Sequence, residues 1–223
     1  MATFVLIHGA ADVAWYWHLV DAELRKRGHG VVAVDLPCDD DSAGLSEYTD
    51  AVVDAIPGDR TDLAVVGQSL GGLTAPLVGE RVGADLLVLV AAMIPSPGEK
   101  GAAWWANTGH DQAAAEDAHD GSDIAVFLQD VAPDLASEAL SRGRAQSDKP
   151  MQEPWPLDAW PDVPTRYLLC RRDRFFPAEW TRGMVRDRLG FTPDEMDCGH
   201  TPALSRPLEL ADRLEAYADS VLP

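Results

Sequence analysis

The residue most able to do chemistry is Ser69, at the centre of the pentapeptide GQSLG. The spacing G-x-S-x-G fits a sharp turn between a strand and a helix that exposes a nucleophilic serine hydroxyl. A nucleotide site competes with this interpretation. However, the glycines follow the spacing G-x-x-x-G-G, not G-x-G-x-x-G, and the stretch has no lysine for a phosphate-binding loop. The sequence therefore predicts Ser69 as a nucleophile, with an ordinary loop serine as the alternative.

A nucleophilic serine requires a base and an orienting acid. Where a strand-to-helix turn carries the serine, the acid lies between the serine and the histidine in chain order. His200, in DCGHTPALSRP, follows the last predicted strand, and Asp173, in YLLCRRDRFFP, follows the strand before it. We therefore predict a Ser69–Asp173–His200 triad. The alternatives are a surface-loop histidine, an aspartate paired with neighbouring arginines, and Asp197 as a rival acid.

Two backbone amides are candidates for an oxyanion hole. The first predicted strand ends in His8-Gly9-Ala10, and Leu70 directly follows the proposed nucleophile. The N–H groups of Ala10 and Leu70 can therefore converge on the developing oxyanion. His8 is then expected to be a hydrogen-bonded scaffold residue and not a base.

The elements that must position these residues follow from short apolar runs. Runs at 3–8, 30–36, 62–67 and 85–92 have the length of buried strands, and helical patterns alternate with them, including 45–56 and 70–82. The alternation resumes at PTRYLLCRRD, passes a weaker run at FTPDEMD, and closes with a helix that Ser205 can cap. Pro76 is expected to bend the helix after the serine. This pattern predicts an α/β fold with a mostly parallel sheet of about six strands and helices on both faces.

The alternation of strands and helices is interrupted between residues 93 and 161, a stretch rich in proline, alanine, glycine and acidic residues. We predict a core of residues 1–92 and 162–223 and a small helical cap inserted at 93–161. Trp104, Trp105 and Trp155 of this insertion are predicted to bind substrate, with cap core as the alternative. In the stretch HDQAAAEDAHD, the candidate metal ligands are His110, Glu116, His119 and Asp120. An acidic solvated helix is the favoured interpretation, so no metal is expected.

Composition narrows the classes of partner. The net charge of −19 disfavours nucleic acid and anionic membranes, and the N-terminal stretch MATFVLIHGA has no basic region typical of a signal peptide. Three widely spaced cysteines indicate neither a disulfide framework nor a structural zinc site. We expect a reduced, cytoplasmic protein without a cofactor, as a monomer or homodimer, acting on a small molecule.

With these residues assembled, the chain resembles the α/β-hydrolase superfamily, and within it the plant-type methylesterase and hydroxynitrile lyase group and its bacterial relatives. The matching stretches are FVLIHGA, GHGVVAVDLP, VVGQSLGG, AAMIPSPGE, RRDRFFPAEW and CGHTPALSRPLEL. The resemblance implies the same triad beneath a helical cap that encloses an apolar pocket. It also implies that a lyase would carry a hydroxyl residue at position 9 and a lysine at position 201, where this chain has Gly9 and Thr201.

The function expected from these observations is a serine carboxylesterase that cleaves a small apolar or aromatic ester, similar to a methylesterase, through an acyl-enzyme. A lyase or a cyclase-like biosynthetic enzyme on the same fold is an alternative, with His200 as the proton-transfer group. A ligand-binding protein with little turnover is another alternative, although the complete triad argues against it.

Overall fold

A single parallel sheet forms the centre of the protein, whose computed structural model describes residues 1–58, 62–114 and 122–221. Six strands lie in the order β2-β1-β3-β4-β5-β6, and all five neighbouring pairs are parallel. The strands are β1 (Thr3–Ile7), β2 (Gly30–Ala33), β3 (Leu63–Gln68), β4 (Leu86–Val90), β5 (Thr165–Cys170) and β6 (Asp194–Met196). The predicted α/β fold with a six-stranded sheet is confirmed.

Helices cover both faces of the sheet. Every residue of β3 and β4 is buried, as expected for strands covered on both sides. Phe4 and Leu6 face a core shared with Trp17, whereas Val5 and Ile7 face the opposite core. The helices that enclose these cores are α1 (His18–Lys26), α2 (Leu45–Ala55), α3 (Ala75–Val82), α9 (Ala178–Leu189), α10 (Pro202–Ser205) and α11 (Pro207–Val221).

The segment after β3 differs from the predicted continuous helix over 70–82. A short 3₁₀ helix, Ser69–Gly72, precedes α3, and Pro76 lies in the first turn of α3. A proline in a first turn removes an N–H that no intrahelical bond uses, and its fixed φ suits the helix start. The predicted bend at Pro76 is therefore wrong, because the helix begins just before the proline.

The segment between β4 and β5 is helical where the structure describes it. It contains α4 (Gly101–Asn107), α5 (His110–Ala114), α6 (Asp123–Phe127), α7 (Pro133–Arg142) and α8 (Lys149–Gln152). One isolated antiparallel bridge joins Lys100 to Pro154.

The closing helix α11 buries Leu210 and Leu214, as its periodicity predicts. Ser205 does not cap it: this residue ends α10, and its buried hydroxyl has no hydrogen-bond partner in the described chain. Among the described residues, no helix combines the length and apolar composition that crossing a membrane requires.

Candidate active site

Ser69 occupies a strained turn at the carboxyl end of β3. Its φ is +51°, a left-handed conformation that non-glycine residues rarely adopt. The turn is held to the end of β4, because Ser69 N donates to Ala91 O (3.2 Å) and Met93 N donates to Ser69 O (3.0 Å). A Cβ on Gly67 would lie 2.7 Å from Ala75 Cβ, and one on Gly71 would lie 2.8 Å from His8 O. The motif needs both glycines because the backbone packs too closely for side chains.

A hydrogen-bond chain links the three residues of the predicted triad. His200 Nε2 lies 3.0 Å from Ser69 Oγ, and His200 Nδ1 lies 2.7 Å from Asp173 Oδ2. The carboxylate can only accept, so Nδ1 carries a proton and Nε2 is free to accept the serine proton. The structure therefore brings together the nucleophile, base and acid that the chain order predicts, in the geometry of general-base activation.

Asp173 is held by the backbone that follows it. Its Oδ1 accepts hydrogen bonds from Phe175 N (2.8 Å) and Phe176 N (3.0 Å), which leaves Oδ2 for His200. The rival Asp197 is exposed and forms ion pairs with Arg171 and Arg172, at 3.4 and 3.3 Å. Asp197 thus engages Arg171 and Arg172 at the surface, and Arg174 donates to Ala125 O (2.8 Å), so Asp173 is left to the histidine.

The loop after β1 approaches Ser69 from the other side. Ala10 lines the same cavity as Ser69, and Leu70 directly follows the serine in the short 3₁₀ helix. The next residue, Ala11, has a φ of +57°, so this loop too requires support. Ala11 N donates to Gln146 Oε1 (3.0 Å), and Arg144 N donates to Ala11 O (2.9 Å). Residues of the insertion therefore fix the loop that carries one proposed oxyanion donor.

His8 is a scaffold residue beneath this loop, as predicted. Its Nδ1 donates to Gly9 O (2.8 Å), and its Nε2 accepts from Leu36 N (3.0 Å). Burial lowers the pKa of His8 to about 4, partly offset by the Gly9 carbonyl and by Asp35. The imidazole is therefore neutral at physiological pH and joins the ends of two neighbouring strands.

The insertion also contacts the loops that carry the acid and the base. Gln129 Nε2 donates to Arg172 O (2.7 Å), next to Asp173 in the chain. Asp130 Oδ2 accepts from Gly199 N (2.7 Å), and Thr201 Oγ1 donates to Phe127 O (2.7 Å), on either side of His200. Each contact reaches a backbone group, so the insertion constrains where the two loops lie.

A cavity of about 470 Å³ opens at Ser69 between these segments. Most of its wall is apolar, and Phe127, Leu140 and Phe175 contribute large side chains. The full lining is Gly9, Ala10, Ala11, Asp12, Gln68, Ser69, Asp123, Phe127, Leu128, Ala139, Leu140, Gly143, Arg144, Phe175, His200, Thr201 and Leu204. The volume suits a small organic molecule.

The three tryptophans predicted to bind substrate do not line this cavity. Trp104 and Trp155 are buried in the cluster between the sheet and the insertion, where their indole N–H groups donate to Ile94 O (2.9 Å) and Leu73 O (3.0 Å). Trp105 is partly buried and packs behind Phe175, with ring centroids 5.6 Å apart. A buried indole requires a partner for its N–H, and backbone carbonyls of the core supply it.

Sequence reasoning missed most of the cavity wall. Phe175 lies two residues after Asp173 in RRDRFFP, so its proximity to the predicted acid was a usable signal. Phe127, Leu140 and Arg144 lie in the insertion, where no motif distinguishes a cavity residue from a solvent-facing one.

The proposed metal ligands do not form a described site. His110 is buried in an aromatic cluster and donates through Nε2 to Phe175 O (2.7 Å). Glu116, His119 and Asp120 lie outside the described residues. Within the described part of the chain, no group of three or more His, Cys, Asp or Glu residues is arranged to hold a metal ion.

Comparison with known proteins identifies relatives across the whole chain. The sequence model described as the Alpha/beta hydrolase family matches residues 4–213. Methylesterase 7 of Arabidopsis thaliana is 28% identical over 253 aligned residues, which cover 97% of this chain and 96% of that protein. Methyl jasmonate esterase 1 of Vitis vinifera is 23% identical over 257 aligned residues, which cover 97% of each chain.

Solved structures agree on the fold. The crystal structure of polyneuridine aldehyde esterase superimposes with a TM-score of 0.80 at 22% identity, and the match covers 97% of this chain and 98% of that one. The relatives named as esterases together with the shared fold support a hydrolase.

Proposed function

This chain belongs to the alpha/beta hydrolase family, and we propose that it is a serine carboxylesterase whose nucleophile is Ser69. The observation that carries the proposal is the continuous hydrogen-bond chain from Ser69 Oγ through His200 to Asp173, at 3.0 and 2.7 Å. The substrate class is a small ester with an apolar or aromatic part, and the methylesterases among its relatives favour a methyl ester.

Acylation begins when Ser69 Oγ attacks the ester carbonyl carbon and its proton passes to His200 Nε2. The electron pair of the carbonyl π bond moves to oxygen, and the N–H groups of Ala10 and Leu70 stabilise the oxyanion. Asp173 stabilises the imidazolium that forms. The tetrahedral intermediate then collapses, the bond to the alkoxy oxygen breaks, and His200 gives its proton to the departing alcohol.

Deacylation repeats these steps with water. His200 removes a proton from a water molecule that attacks the acyl carbon of the Ser69 ester. The second tetrahedral intermediate breaks the bond to Ser69 Oγ, which recovers its proton from His200 and releases the carboxylic acid. No cofactor enters this cycle.

Two positions argue against the lyase alternative. Position 9 has no hydroxyl, and a Cβ there would lie 2.6 Å from Gln68 Oε1, so the Gln68 side chain would have to shift to admit one. The hydroxyl of Thr201, at the position after the histidine, donates to Phe127 O. Neither residue offers the cavity the polar group that the resemblance associates with cyanohydrin cleavage.

The test is turnover of methyl phenylacetate by the wild type, Ser69→Ala, His200→Ala and the exposed surface control Ser141→Ala. We expect the first two variants to lose at least about 10⁴-fold in kcat while remaining folded, and the control to match the wild type. A fluorophosphonate should add once, at Ser69, as read by mass spectrometry. Retained activity in Ser69→Ala, or labelling elsewhere, would overturn the proposal.

A further inference from the structure

One carboxyl group in the cavity wall has no role in the triad. Asp12 lies two residues after Ala10 and lines the same cavity as Ser69. Its Oδ1 accepts a hydrogen bond from the backbone N–H of Val13 (2.8 Å). Among the described residues, its Oδ2 has neither a hydrogen-bond donor nor an ion-pair partner. Asp12 therefore presents half of a carboxylate without a protein partner.

Arg144, the one arginine or lysine among the described residues of the cavity wall, uses its terminal nitrogens elsewhere, and its buried Nε has no partner there. Arg144 forms an ion pair with Asp39 (3.2 Å) and donates to Leu36 O. Burial raises the pKa of Asp12 to about 6, and the like charge of Asp35 adds to the effect, whereas the Val13 amide opposes it. Among the described residues, no guanidinium or ammonium group forms an ion pair with this partly buried carboxylate.

This position has a consequence for ester hydrolysis. A negative charge two residues from the Ala10 amide opposes the negative charge that develops on the carbonyl oxygen of the substrate. A substrate without charge leaves that repulsion in place. A substrate with a positive group on Asp12 removes it and gains a charge-assisted hydrogen bond.

We propose that Asp12 is a binding subsite for a protonated amine, so that the preferred substrate is an ester whose acyl part carries an ammonium group. This inference rests on the proposed esterase function and names its substrate class. The ammonium group donates to Asp12 Oδ2, while the hydrocarbon chain packs on the apolar wall that includes Phe127 and Leu140.

The charge of the surroundings favours the same class of substrate. Asp123, at the exposed rim of the cavity, is a second acid, and the whole chain carries a net charge of −19. A field of this sign attracts cations and repels anions. An ester with a free carboxylate or phosphate would meet the charge of Asp12, while the guanidinium of Arg144 is already paired with Asp39, and is therefore disfavoured.

The test compares three methyl esters of nearly equal size: methyl 6-aminohexanoate, methyl 6-hydroxyhexanoate and methyl heptanoate. Asp12→Asn keeps the shape of the side chain and removes its charge. The control Asp134→Asn makes the same charge change on an exposed residue of α7 outside the cavity. The quantity measured is kcat/KM for each ester with each protein.

We expect Asp12→Asn to lower kcat/KM for the amino ester about tenfold and to raise it about threefold for methyl heptanoate. The control should change neither by more than about twofold. Opposite changes for two substrates cannot arise from partial unfolding, which would lower both. An unchanged ratio, or an equal loss for the hydroxy ester and the amino ester, would overturn the proposal.

Failure of the esterase function would look different. In that case the wild type would turn over none of the three esters above the rate of Ser69→Ala. Calorimetric titration with hexylamine and with hexan-1-ol then tests the subsite directly. Tighter binding of the amine that disappears in Asp12→Asn supports the subsite, and equal binding of the amine by both proteins overturns it.

Discussion

Ser69, Asp173 and His200 lie on short segments that follow strands of the sheet, whereas most of the cavity's large apolar side chains come from the insertion at 93–161. The two regions are held differently. The segments that carry Ser69, Asp173 and His200 follow paired parallel strands. Every residue of β3 is buried, as are the last four of β5, whereas β6 is an edge strand with one buried residue. The insertion reaches the same loops through a few hydrogen bonds, most of them between a side chain and the backbone, and one, from Arg144 N to Ala11 O, between backbone groups.

Because the two regions are held differently, we expect substitutions in them to have different effects on catalysis. A change at the sheet edge removes a reacting group, and its effect should fall on kcat by orders of magnitude. A change in the insertion shifts a loop or a cavity wall, and its effect should be about tenfold or less. We therefore expect the chemistry to depend on the strand ends, and the substrate preference and fine positioning to depend on the insertion.

Of the changes that distinguish the strand ends from the insertion, we expect the largest loss of kcat from a change at Asp173. Asp173→Asn keeps the size of the side chain but loses the charge that stabilises the His200 imidazolium and favours the wrong tautomer. We expect kcat to fall by about 10⁴-fold with little change in KM, measured with methyl phenylacetate.

Asp197→Asn is the matched control for this change, because Asp197 lies in the same pair of loops but pairs with Arg171 and Arg172 at the surface. Its kcat should stay within about twofold of the wild type, since exposed ion pairs contribute little. Loss of turnover in Asp197→Asn together with activity in Asp173→Asn would reverse the assignment of the acid.

The sheet and the proximity of the three triad residues could be predicted from the sequence. Buried parallel strands read as short apolar runs, and residues at their carboxyl ends meet at one edge, so Ser69, Asp173 and His200 could be placed together before the structure was known. The boundaries were less accurate: the second strand ends at Ala33, although its apolar run continues to position 36. Apolar residues continue past the last paired residue, and the pattern does not mark where pairing stops.

The residues of the cavity wall could not be predicted from the sequence, for a physical reason. The helices of the insertion are short, and tryptophan is equally suited to a core and to a ligand site, so Trp104 gave no signal of its burial. Asp12 was also missed. In the sequence it is one acid among many, and only the structure shows that it lines the cavity and that one of its carboxylate oxygens has no partner among the described residues.

The next largest effect is expected at His8, and it concerns the free energy of unfolding. His8 lies in the buried core of the sheet. Its pKa is about 4 in the folded chain, against 6.5 for an unperturbed imidazole, so between these values the unfolded chain binds the additional proton. The stability from the neutral imidazole is complete above pH 6.5 and is lost as the pH falls to about 4. The shift corresponds to roughly 3 kcal/mol.

His8→Gln removes this titration and isolates its contribution. Urea unfolding between pH 7 and pH 4 should show a steeper loss of unfolding free energy in the wild type than in the variant, whatever the variant's stability at pH 7. Asp12, whose raised pKa has the opposite sign of effect between about 4 and 6, is present in both proteins and cancels in the difference. Parallel curves would show that His8 is not buried as a neutral base.

The smallest effect is expected from a change in the insertion that weakens its contact with the loop after β1, which carries the proposed oxyanion donor Ala10. Gln146 Oε1 accepts the hydrogen bond of Ala11 N (3.0 Å), and its Nε2 donates to Tyr48 Oη (3.1 Å). Gln146→Ala removes the side-chain acceptor of Ala11 N, next to the proposed Ala10 donor, and leaves Ala11 O bonded to Arg144 N. We expect kcat to fall about tenfold with KM unchanged, because the oxyanion is bound only in the transition state. Tyr48→Phe is the matched control: it removes one of the two contacts of Gln146 Nε2, which also donates to Ser147 O (2.9 Å), and leaves the Ala11 contact, so kcat should stay within about twofold of the wild type. An equal loss in the two variants would mean that Gln146 supports the fold of the insertion in general, and a change confined to KM would mean that it acts on the cavity wall instead of the oxyanion loop.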